Sequence, residues 1–337
     1  MSYVPSWSWV EAPTPPTALS LLWTFGALAA CSLLLQVVLP RRKMWSAKDR
    51  TILVTGASSG IGHALARRYA AEGANLWLVA RRRGALKETC EACLAAGAKS
   101  ARVLQADVAT EAGWEAIKSA VEPDALDLLV LNAGLAMGAT FSQVSESGEA
   151  MPIMKKLMDV NYLGSVGVLD ACLPAMRRAR GGIRILVVSS VVGLVAPPTR
   201  TGYAASKFAL CGFFNALRVE LMSEPLPATV TISYPGAVRT EINLSRLVVG
   251  SLSRSSDGGG DRSSGVDISL DKSMSADRCA SIMVAAHAAG ERDVLYSIDG
   301  TLVGAVKTRV LRYLAFFFPG AADAALAATM RAMSKSR

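Results

Sequence analysis

A tyrosine and a lysine four residues apart are the side chains of this sequence best suited to proton transfer. Tyr203 and Lys207 belong to the run Tyr-Ala-Ala-Ser-Lys, and residues four apart on a helix share one face, with Cβ atoms about 6 Å apart. An ammonium there favours the phenolate and lowers the tyrosine pKa from about 10 towards working pH. Such a tyrosine gives a proton to a carbonyl oxygen or takes one from an alcohol. Many Tyr/Lys pairs at this spacing occur by chance on protein surfaces, so other motifs must show whether this pair is catalytic.

A glycine-rich turn between a strand and a helix indicates a nucleotide site. The run Gly-Ala-Ser-Ser-Gly-Ile-Gly at 56–62 follows an apolar strand at 51–55 and opens a helical pattern. Spaced glycines permit a tight turn and let a pyrophosphate approach backbone N–H groups at the helix N-terminus. A structural glycine turn without a ligand is the alternative. The residues predicted to contact the cofactor here are Gly56, Ser58, Ser59, Gly60, Ile61 and Gly62.

The residues after the second strand indicate which nicotinamide cofactor is used. This strand ends at Ala80 and is followed by Arg81, Arg82 and Arg83, with no acid before Glu88. An Asp or Glu near this point binds a free ribose 2′-hydroxyl, whereas an Arg accommodates a 2′-phosphate. The sequence therefore predicts NADP(H) rather than NAD(H), with Arg81 as the phosphate ligand. The alternative is that the arginines form the solvated start of a helix.

Metal and hydrolase chemistry are not expected. The chain has six scattered cysteines and two histidines, His63 and His287, and the Cys90/Cys93 pair has no second pair to complete a zinc site. Neither histidine lies near a G-x-S-x-G elbow, which argues against a Ser-His-Asp hydrolase.

The motifs together resemble those of the short-chain dehydrogenase/reductase family. They occur in order between about residues 50 and 300: TGASSGIG at 55–62, NAG at 132–134, Asn161, VSS at 188–190, YAASK at 203–207 and PGAVRT at 235–240. The run FALCGFF at 208–214, the apolar N-terminal segment and the tail are similar to the membrane-bound hydroxysteroid-dehydrogenase-like branch. The tail resembles in particular reductases of peroxisomes and the endoplasmic reticulum that act on acyl- or alkyl-dihydroxyacetone phosphate.

This resemblance implies a role for each motif. Tyr203 would be the acid/base, and Lys207 would hold the nicotinamide ribose and tune Tyr203. Ser190, rather than Ser189, would bind the substrate oxygen, and Asn161 would support a water that relays protons through Lys207. Further cofactor contacts would come from Asp107 at the adenine, from Asn132, Ala133 and Gly134, and, near the carboxamide, from Pro235, Gly236, Val238 and Thr240.

Strand-like and helix-like segments alternate after residue 50. Apolar strands are expected at 51–55, 75–80, 101–106, 126–131, 184–189, 228–233 and 293–297, and helices at 62–72, 84–96, 152–178, 203–222 and 276–289. Apolar strands that alternate with helices imply a parallel sheet of βαβ units. We expect a single α/β domain at 50–300 with a Rossmann-type doubly wound parallel sheet, whose ligands bind beyond the carboxyl ends of the strands.

An N-terminal membrane anchor is expected at residues 18–39. This run contains no charge, and 22 helical residues span the roughly 30 Å of a bilayer core. A cleaved signal peptide is the alternative, but no positive residue precedes Arg41. A tail at 1–17 precedes the anchor and a basic linker at 40–49 follows it. The positive-inside rule then predicts that the catalytic domain of this single-pass protein faces the cytosol, and the resemblance to the membrane-bound branch implies the endoplasmic reticulum.

Charge and composition indicate whether the protein contacts a membrane or nucleic acid. Hydrophobic residues make up 51% of the 337 residues and charged residues 19%, which excludes a disordered chain. The net charge of +9 is confined to residues 41–50 and 307–337. Positive charge beside apolar segments indicates contact with an anionic membrane surface rather than with nucleic acid, which requires a basic folded face.

Two segments depart from the repeating pattern. Residues 245–272 form a Ser-, Gly- and Asp-rich tract, read as a flexible insertion in the substrate loop. The amphipathic basic tail at 301–337 is either an interfacial membrane contact or a subunit contact, as in a homodimer. The expected function is reduction of carbonyls or oxidation of alcohols on a lipophilic small molecule: a steroid, a retinoid, a ketosphinganine or an acyl-/alkyl-dihydroxyacetone phosphate. A non-catalytic NADP(H)-binding membrane scaffold or sensor is the alternative.

Overall fold

Nine strands and eight helices follow one another in the described part of the chain. A computed structural model of the protein describes residues 44–241, 247–250 and 273–295. The strands are β1 (Thr51–Thr55), β2 (Asn75–Ala80), β3 (Ser100–Gln105), β4 (Leu128–Leu131), β5 (Ile183–Val188), β6 (Ala228–Tyr234), β7 (Val238–Arg239), β8 (Met274–Ser275) and β9 (Asp293–Leu295). The helices are α1 (Gly60–Ala71), α2 (Arg83–Ala95), α3 (Glu111–Val121), α4 (Phe141–Glu146), α5 (Ala150–Met158), α6 (Gly164–Arg177), α7 (Thr201–Met222) and α8 (Ala276–Ala288).

Seven of the strands form one parallel sheet in the order β3-β2-β1-β4-β5-β6-β9. The chain moves outward from β1 to β3 and then returns to the other side of β1 with β4. This reversal makes the gap beyond the carboxyl ends of β1 and β4 the place where a doubly wound sheet binds a dinucleotide. β7 and β8 form a separate two-stranded parallel pair.

Apolar side chains from both faces of the sheet form the core. On one face they pack with α1, α2 and α8, for example Leu65, Leu86 and Met283. On the other face they pack with α3, α6 and α7, for example Ile117 and Phe214. All four residues of β4 are buried, as expected for a central strand covered by helices on both sides. The predicted Rossmann-type α/β sheet is confirmed.

The helix expected at 152–178 is interrupted. A short π-helical turn, Asp159–Leu163, separates α5 from α6 and contains Asn161. Such turns are rare inside helices and concentrate at functional sites. Helices α3 and α4 were not anticipated; Thr110 and Thr140 cap their N-termini through side-chain oxygens, a signal that sequence reading can use.

Residues 44–49, assigned by sequence to a basic linker, pack against the sheet domain. The Trp45 N–H donates to the Ala288 carbonyl at 2.9 Å, and the Ala47 N–H donates to Glu72 at 2.9 Å. Ala47 is fully buried. This stretch is therefore part of the folded domain, because its backbone donors are satisfied there.

Several predicted segments lie outside the described residues: the tail at 1–17, the anchor at 18–39, residues 40–43 of the linker, the tail at 301–337, and residues 245–246 and 251–272 of the insertion. Within the ranges that are described, no helix is long and apolar enough to cross a membrane.

Candidate active site

The glycine turn between β1 and α1 has the backbone that a pyrophosphate site needs. Gly56 and Gly60 have φ values of +65° and +57°, a left-handed conformation that favours glycine. A Cβ at Gly62 would collide with the carbonyl oxygen of Gly56. The N-cap residue Ser59 makes no side-chain capping hydrogen bond, so its hydroxyl does not cover the first amides of α1. The cradle fits the pyrophosphate of a nicotinamide dinucleotide.

Asn132 ties this turn to the end of β4. Its Nδ2 donates to the carbonyl oxygens of Thr55 and Gly56 at 3.0 and 3.3 Å. The Thr55 hydroxyl accepts from the Asn132 and Ala133 N–H groups at 2.9 and 3.1 Å and donates to Val130. The two strands at the reversal of the sheet are thus fixed to each other next to the cofactor cradle.

Tyr203 and Lys207 lie on α7 at the carboxyl end of β5. The Lys207 Nζ is 5.9 Å from the centroid of the Tyr203 ring and donates to the Val188 carbonyl at 3.0 Å. Only 4% of Lys207 is exposed, and burial lowers its pKa to about 8 because the ammonium loses hydration. Gly134 approaches the same point: a Cβ there would lie 3.8 Å from the Lys207 Nζ.

The electrostatic setting of Tyr203 differs from the expectation. The Tyr203 pKa is raised above its ordinary value of 10, not lowered as expected: burial raises it most, a hydrogen bond with Ser190 and the charge of Arg200 lower it, and Cys211 raises it. We expected Lys207 to provide the lowering charge. In the structure Lys207 is itself buried and turns to a backbone carbonyl, and the opposing effects come from Ser190 and Arg200.

The two serines after β5 face opposite ways. The Ser190 Oγ accepts from the Val192 N–H at 3.2 Å and donates to the Pro235 carbonyl at 3.4 Å, on the side of Tyr203. The Ser189 Oγ lies 3.1 Å from the Cys211 Sγ in the core. Ser190 is therefore the serine placed to touch a substrate oxygen.

Asn161 is fully buried and has a partner for each side-chain atom. Its Oδ1 accepts from the Leu135 N–H at 2.7 Å, and its Nδ2 donates to the Leu135 carbonyl at 3.0 Å and to the Ser206 Oγ at 2.9 Å. Ser206 in turn donates to the Tyr203 carbonyl at 2.8 Å. Asn161 thus joins the loop after β4 to the helix that carries Tyr203.

The arginines after β2 have separate partners. Arg81 Nη1 lies 3.9 Å from Asp107 Oδ2, at the end of β3. Arg82 Nη2 donates to Ser58 Oγ at 3.3 Å and to Glu241 Oε2 at 2.8 Å. Arg82 is thus the arginine that contacts the glycine turn, and the assignment of Arg81 as the 2′-phosphate ligand stays a prediction.

The segment after β6 folds back onto the glycine turn. The Pro235 carbonyl accepts from the Val191 N–H at 3.0 Å, and Gly236 precedes β7, where Val238 pairs with Met274. A Cβ on Gly60 would lie 3.0 Å from the Thr240 Cγ2, so Thr240 packs directly on the turn that begins α1. The PGAVRT residues and the glycine motif therefore line one cleft.

Three residues of this site were missed by sequence reasoning: Arg200, Ser206 and Glu241. Ser206 lies inside the YAASK motif, and Arg200 is the first charge after the uncharged run at 185–199, so both had a local signal. Glu241 had none, since its partner Arg82 is 159 positions away. Among the described residues, no group of three or more His, Cys, Asp or Glu side chains is arranged to hold a metal ion.

Comparison with known proteins places the chain in a family. A sequence model described as short chain dehydrogenase matches residues 50–247. Dehydrogenase/reductase SDR family member 7 of Homo sapiens is 34% identical over 262 residues, which cover 76% of this chain and 73% of that protein. Hydroxysteroid 11-beta-dehydrogenase 1-like protein of Xenopus tropicalis is 37% identical over 198 residues, which cover 58% of this chain and 67% of that protein.

Two solved structures share the fold. A short chain dehydrogenase/reductase from Burkholderia phymatum in complex with NAD is 24% identical, with a TM-score of 0.66 over 80% of this chain and 95% of that chain. A short-chain dehydrogenase from Sphingobium yanoikuyae in complex with NADPH is 26% identical, with a TM-score of 0.59 over 73% and 87%. The chain belongs to the short-chain dehydrogenase/reductase family, in its hydroxysteroid-dehydrogenase-like branch, and is an oxidoreductase acting on CH–OH and C=O groups with a nicotinamide cofactor.

Proposed function

We propose that this protein is an NADP(H)-dependent reductase or dehydrogenase of a lipophilic carbonyl or alcohol, and that it works attached to a membrane. The observation that carries the proposal is the meeting of Ser190, Tyr203 and Lys207 beside the glycine turn, at the carboxyl ends of β1, β4 and β5. An alternative scaffold or sensor role would not need all these groups in one cleft.

The reaction needs a proton at the oxygen that gains or loses hydride. NADP(H), when bound, exchanges a hydride with the carbon atom of the substrate. In reduction the Tyr203 hydroxyl gives its proton to the carbonyl oxygen, and in oxidation the phenolate takes one from the alcohol. Ser190 hydrogen-bonds to Tyr203 and favours the phenolate. Lys207 carries its charge beside Tyr203 at neutral pH, because its pKa of about 8 lies above that value.

The cofactor cradle and the basic residues after β2 support the choice of NADP(H). The glycine turn at residues 56–62 would hold the pyrophosphate, and Arg81 and Arg82 would face the 2′-phosphate from the end of β2. Arginine suits this group, because its planar fork donates two parallel hydrogen bonds to phosphate oxygens.

Partly exposed apolar side chains near Tyr203 support a lipophilic substrate. Leu135, Ala150 and Met154 pack, as Tyr203 does, against a buried cluster: Met137, Ala139, Val144, Ile153, Leu157 and Leu247. Burying apolar substrate surface against the exposed parts of these three side chains is favourable by about 25 cal/mol per Å². Because relatives carry hydroxysteroid dehydrogenase names, a steroid is the first substrate to test, followed by a retinoid, a ketosphinganine and an acyl- or alkyl-dihydroxyacetone phosphate.

The assay that tests this proposal compares the full-length protein with two Tyr→Phe variants. Each is incubated with NADPH and lipid extract or the candidate substrates, and products are identified by mass spectrometry. Tyr203→Phe removes only the proton donor, so turnover should fall by about 10²- to 10⁴-fold while NADPH still binds. Tyr69→Phe is the matched control, because Tyr69 is fully buried elsewhere in the core. NADPH binding without turnover of any lipid carbonyl would favour the scaffold or sensor instead.

Membrane attachment has its own test. We propose residues 18–39 as a single anchor of the endoplasmic reticulum membrane with the catalytic domain in the cytosol. Deleting residues 1–40 should release the protein from carbonate-washed membranes. Protection of the catalytic domain from protease in sealed microsomes would contradict the cytosolic orientation, and full-length protein in the soluble fraction would contradict the anchor.

A further inference from the structure

Arg82, Glu241, Ser58 and Ser59 connect the two sides of the cofactor cleft: the end of β2 with the glycine turn on one side, and the segment after β7 on the other. Arg82, just after β2, donates through Nη2 to Glu241 at 2.8 Å and to the Ser58 hydroxyl at 3.3 Å. Glu241 follows Thr240, in the segment after β7 on the other side of the cleft. Its pKa is held below the usual range by the hydrogen bond from Arg82, with a further contribution from a hydrogen bond with Ser59. Glu241 is therefore charged, and it touches both the glycine turn and the arginine beside it.

The position of this pair bears on the adenosine half of the cofactor. In a doubly wound sheet the turn after β1 receives the pyrophosphate, and the end of β2 receives the adenosine ribose. Arg82 belongs to the end of β2 and contacts Ser58 of the turn, so its guanidinium lies where those two parts meet. Arg81 is turned towards Asp107. Arg82 is thus the guanidinium next to the turn, and a carboxylate already engages it.

We propose that Glu241 is a specificity-determining residue for the cofactor: its carboxylate engages the Arg82 guanidinium that a 2′-phosphate would bind, so the phosphate must displace it. This inference rests on the proposed use of NADP(H). Carboxylate and phosphate compete for the same planar fork of donors. A cofactor without a 2′-phosphate lacks the anionic group that would displace the carboxylate at the ribose, and leaves Arg82 paired with Glu241.

The sign of the effect follows from the competition. The 2′-phosphate gains the donors of Arg82 only where the Glu241 carboxylate gives them up, so the pair weakens phosphate binding. The side chains of Arg82 and Glu241 are 56% and 57% exposed, and exposed ion pairs are weak. Glu241 therefore lowers NADP(H) affinity by a modest factor and favours release, without abolishing the preference that the arginines create.

The test measures binding to the full-length protein by calorimetry, with 2′,5′-ADP and 5′-AMP as probes that differ by the 2′-phosphate alone. Glu241→Gln should bind 2′,5′-ADP about 3- to 5-fold tighter, the range an exposed pair allows, and should bind 5′-AMP as the unmodified protein does. Arg82→Gln should weaken 2′,5′-ADP binding. Adding Glu241→Gln to Arg82→Gln should have no further effect, because the guanidinium that the carboxylate engages is gone.

Glu224→Gln is the matched control. Glu224 pairs with Arg177 at 2.9 Å on the surface of the same protein, so this variant removes an equal charge from an equivalent pair and should leave both affinities unchanged. Weaker or unchanged 2′,5′-ADP binding in Glu241→Gln would overturn the inference, as would a gain that persists in the Arg82→Gln background. If the unmodified protein binds 5′-AMP as tightly as 2′,5′-ADP, the proposed NADP(H) preference fails instead.

Discussion

Buried polar side chains occur at both ends of the sheet, but the two ends differ in how many of their polar atoms have hydrogen-bond partners. The active-site cluster (Asn161, Ser190, Tyr203 and Lys207) lies at the carboxyl ends of the strands. The amino-end cluster (Trp45, Tyr69, Arg184 and His287) lies where β1 and β5 begin and where α1 and α8 end. In the active-site cluster, Asn161 and Lys207 donate to named acceptors at 2.9–3.0 Å.

The amino-end cluster relies on ring packing. Among the described residues, the buried side-chain N and O atoms without a hydrogen-bond partner all belong to it: the Tyr69 hydroxyl, the Arg184 Nε and both ring nitrogens of His287. Trp45 stacks edge-on against His287, with ring centroids 5.3 Å apart, and Arg184 lies 5.4 Å from the Trp45 centroid. Such ring contacts stabilise the fold, but they do not fix the position of a proton or the direction of a hydrogen bond.

This difference separates two uses of a buried polar group. Hydrogen bonds orient a side chain, and a network of them is needed where the position of a proton matters. Groups that only fill space can lie without partners, at a cost in stability. We therefore expect substitutions at the carboxyl end to affect both stability and turnover, and substitutions at the amino end to affect stability alone.

Asn161→Ala should give the largest change in stability. It removes the partner of the Leu135 N–H and C=O and of the Ser206 hydroxyl, and each buried group left unsatisfied costs about 1–3 kcal/mol. We expect the free energy of unfolding to fall by about 3–5 kcal/mol in chemical denaturation, together with turnover. Asn161→Asp retains the acceptor for the Leu135 N–H but places a buried carboxylate oxygen against the Leu135 carbonyl, so it should be strongly destabilised as well. A change below about 0.5 kcal/mol, the usual effect of a surface substitution, would show that the network does not stabilise the fold.

His287→Phe tests the other end through the pH dependence of stability. Burial, helped by the charge of Arg184, lowers the pKa of His287 from 6.5 to about 3. Between these values the unfolded chain binds a proton that the folded protein does not. Stability is therefore lost as pH falls below 6.5, at up to 1.36 kcal/mol per pH unit.

The measurement for His287→Phe is the slope of unfolding free energy against pH. At pH 5 the histidine should cost the unmodified protein about 2 kcal/mol relative to pH 7, and this loss should be absent in the variant. A uniform packing change does not alter the slope. His63→Phe is the comparison: burial and the charge of Arg67 also lower the pKa of His63, but His63 is only partly buried and its Nδ1 lies 2.9 Å from the Thr89 hydroxyl, so this variant should change the slope less. Equal slopes for His287→Phe and the unmodified protein would mean that His287 is solvated.

The sequence predicts the sheet and the catalytic motifs because both have local signals. Apolar strands followed by turns predict β1 to β6, and the glycine and YAASK motifs are continuous in sequence. The α/β class with a parallel sheet therefore follows from pattern, whereas helices α3 and α4 and the short strands β7 and β8 do not. The same reasoning assigned 44–49 to a linker, because nothing local shows that the Trp45 ring packs against His287, 242 positions later.

Other features depend on contacts between distant segments. In the π-helical turn at Asp159–Leu163, Asn161 accepts a hydrogen bond from the Leu135 N–H, a contact between segments 26 positions apart that residue propensity does not predict. The pairing of Arg82 with Glu241 joins segments 159 positions apart. Charge effects on Tyr203 depend on which cation faces the phenol, and helical spacing alone pointed to Lys207. Sequence thus predicts which groups are present, and the tertiary contacts decide which of them interact.

Arg200→Met should give the smallest effect. It tests how the surroundings of the active-site cluster shift the pKa of Tyr203. The charge of Arg200 lowers the Tyr203 pKa, so its removal raises that pKa. Oxidation needs the phenolate and reduction needs the phenol. The pH profiles of kcat/KM for both directions should therefore move to higher pH, with a few-fold loss of oxidation rate at neutral pH. Arg200→Lys keeps the charge and should stay close to the unmodified profile. Damage to packing would lower both plateaus without moving them, so a lower plateau at an unchanged midpoint would show that Arg200 only supports the Met137 loop, to whose carbonyl it donates.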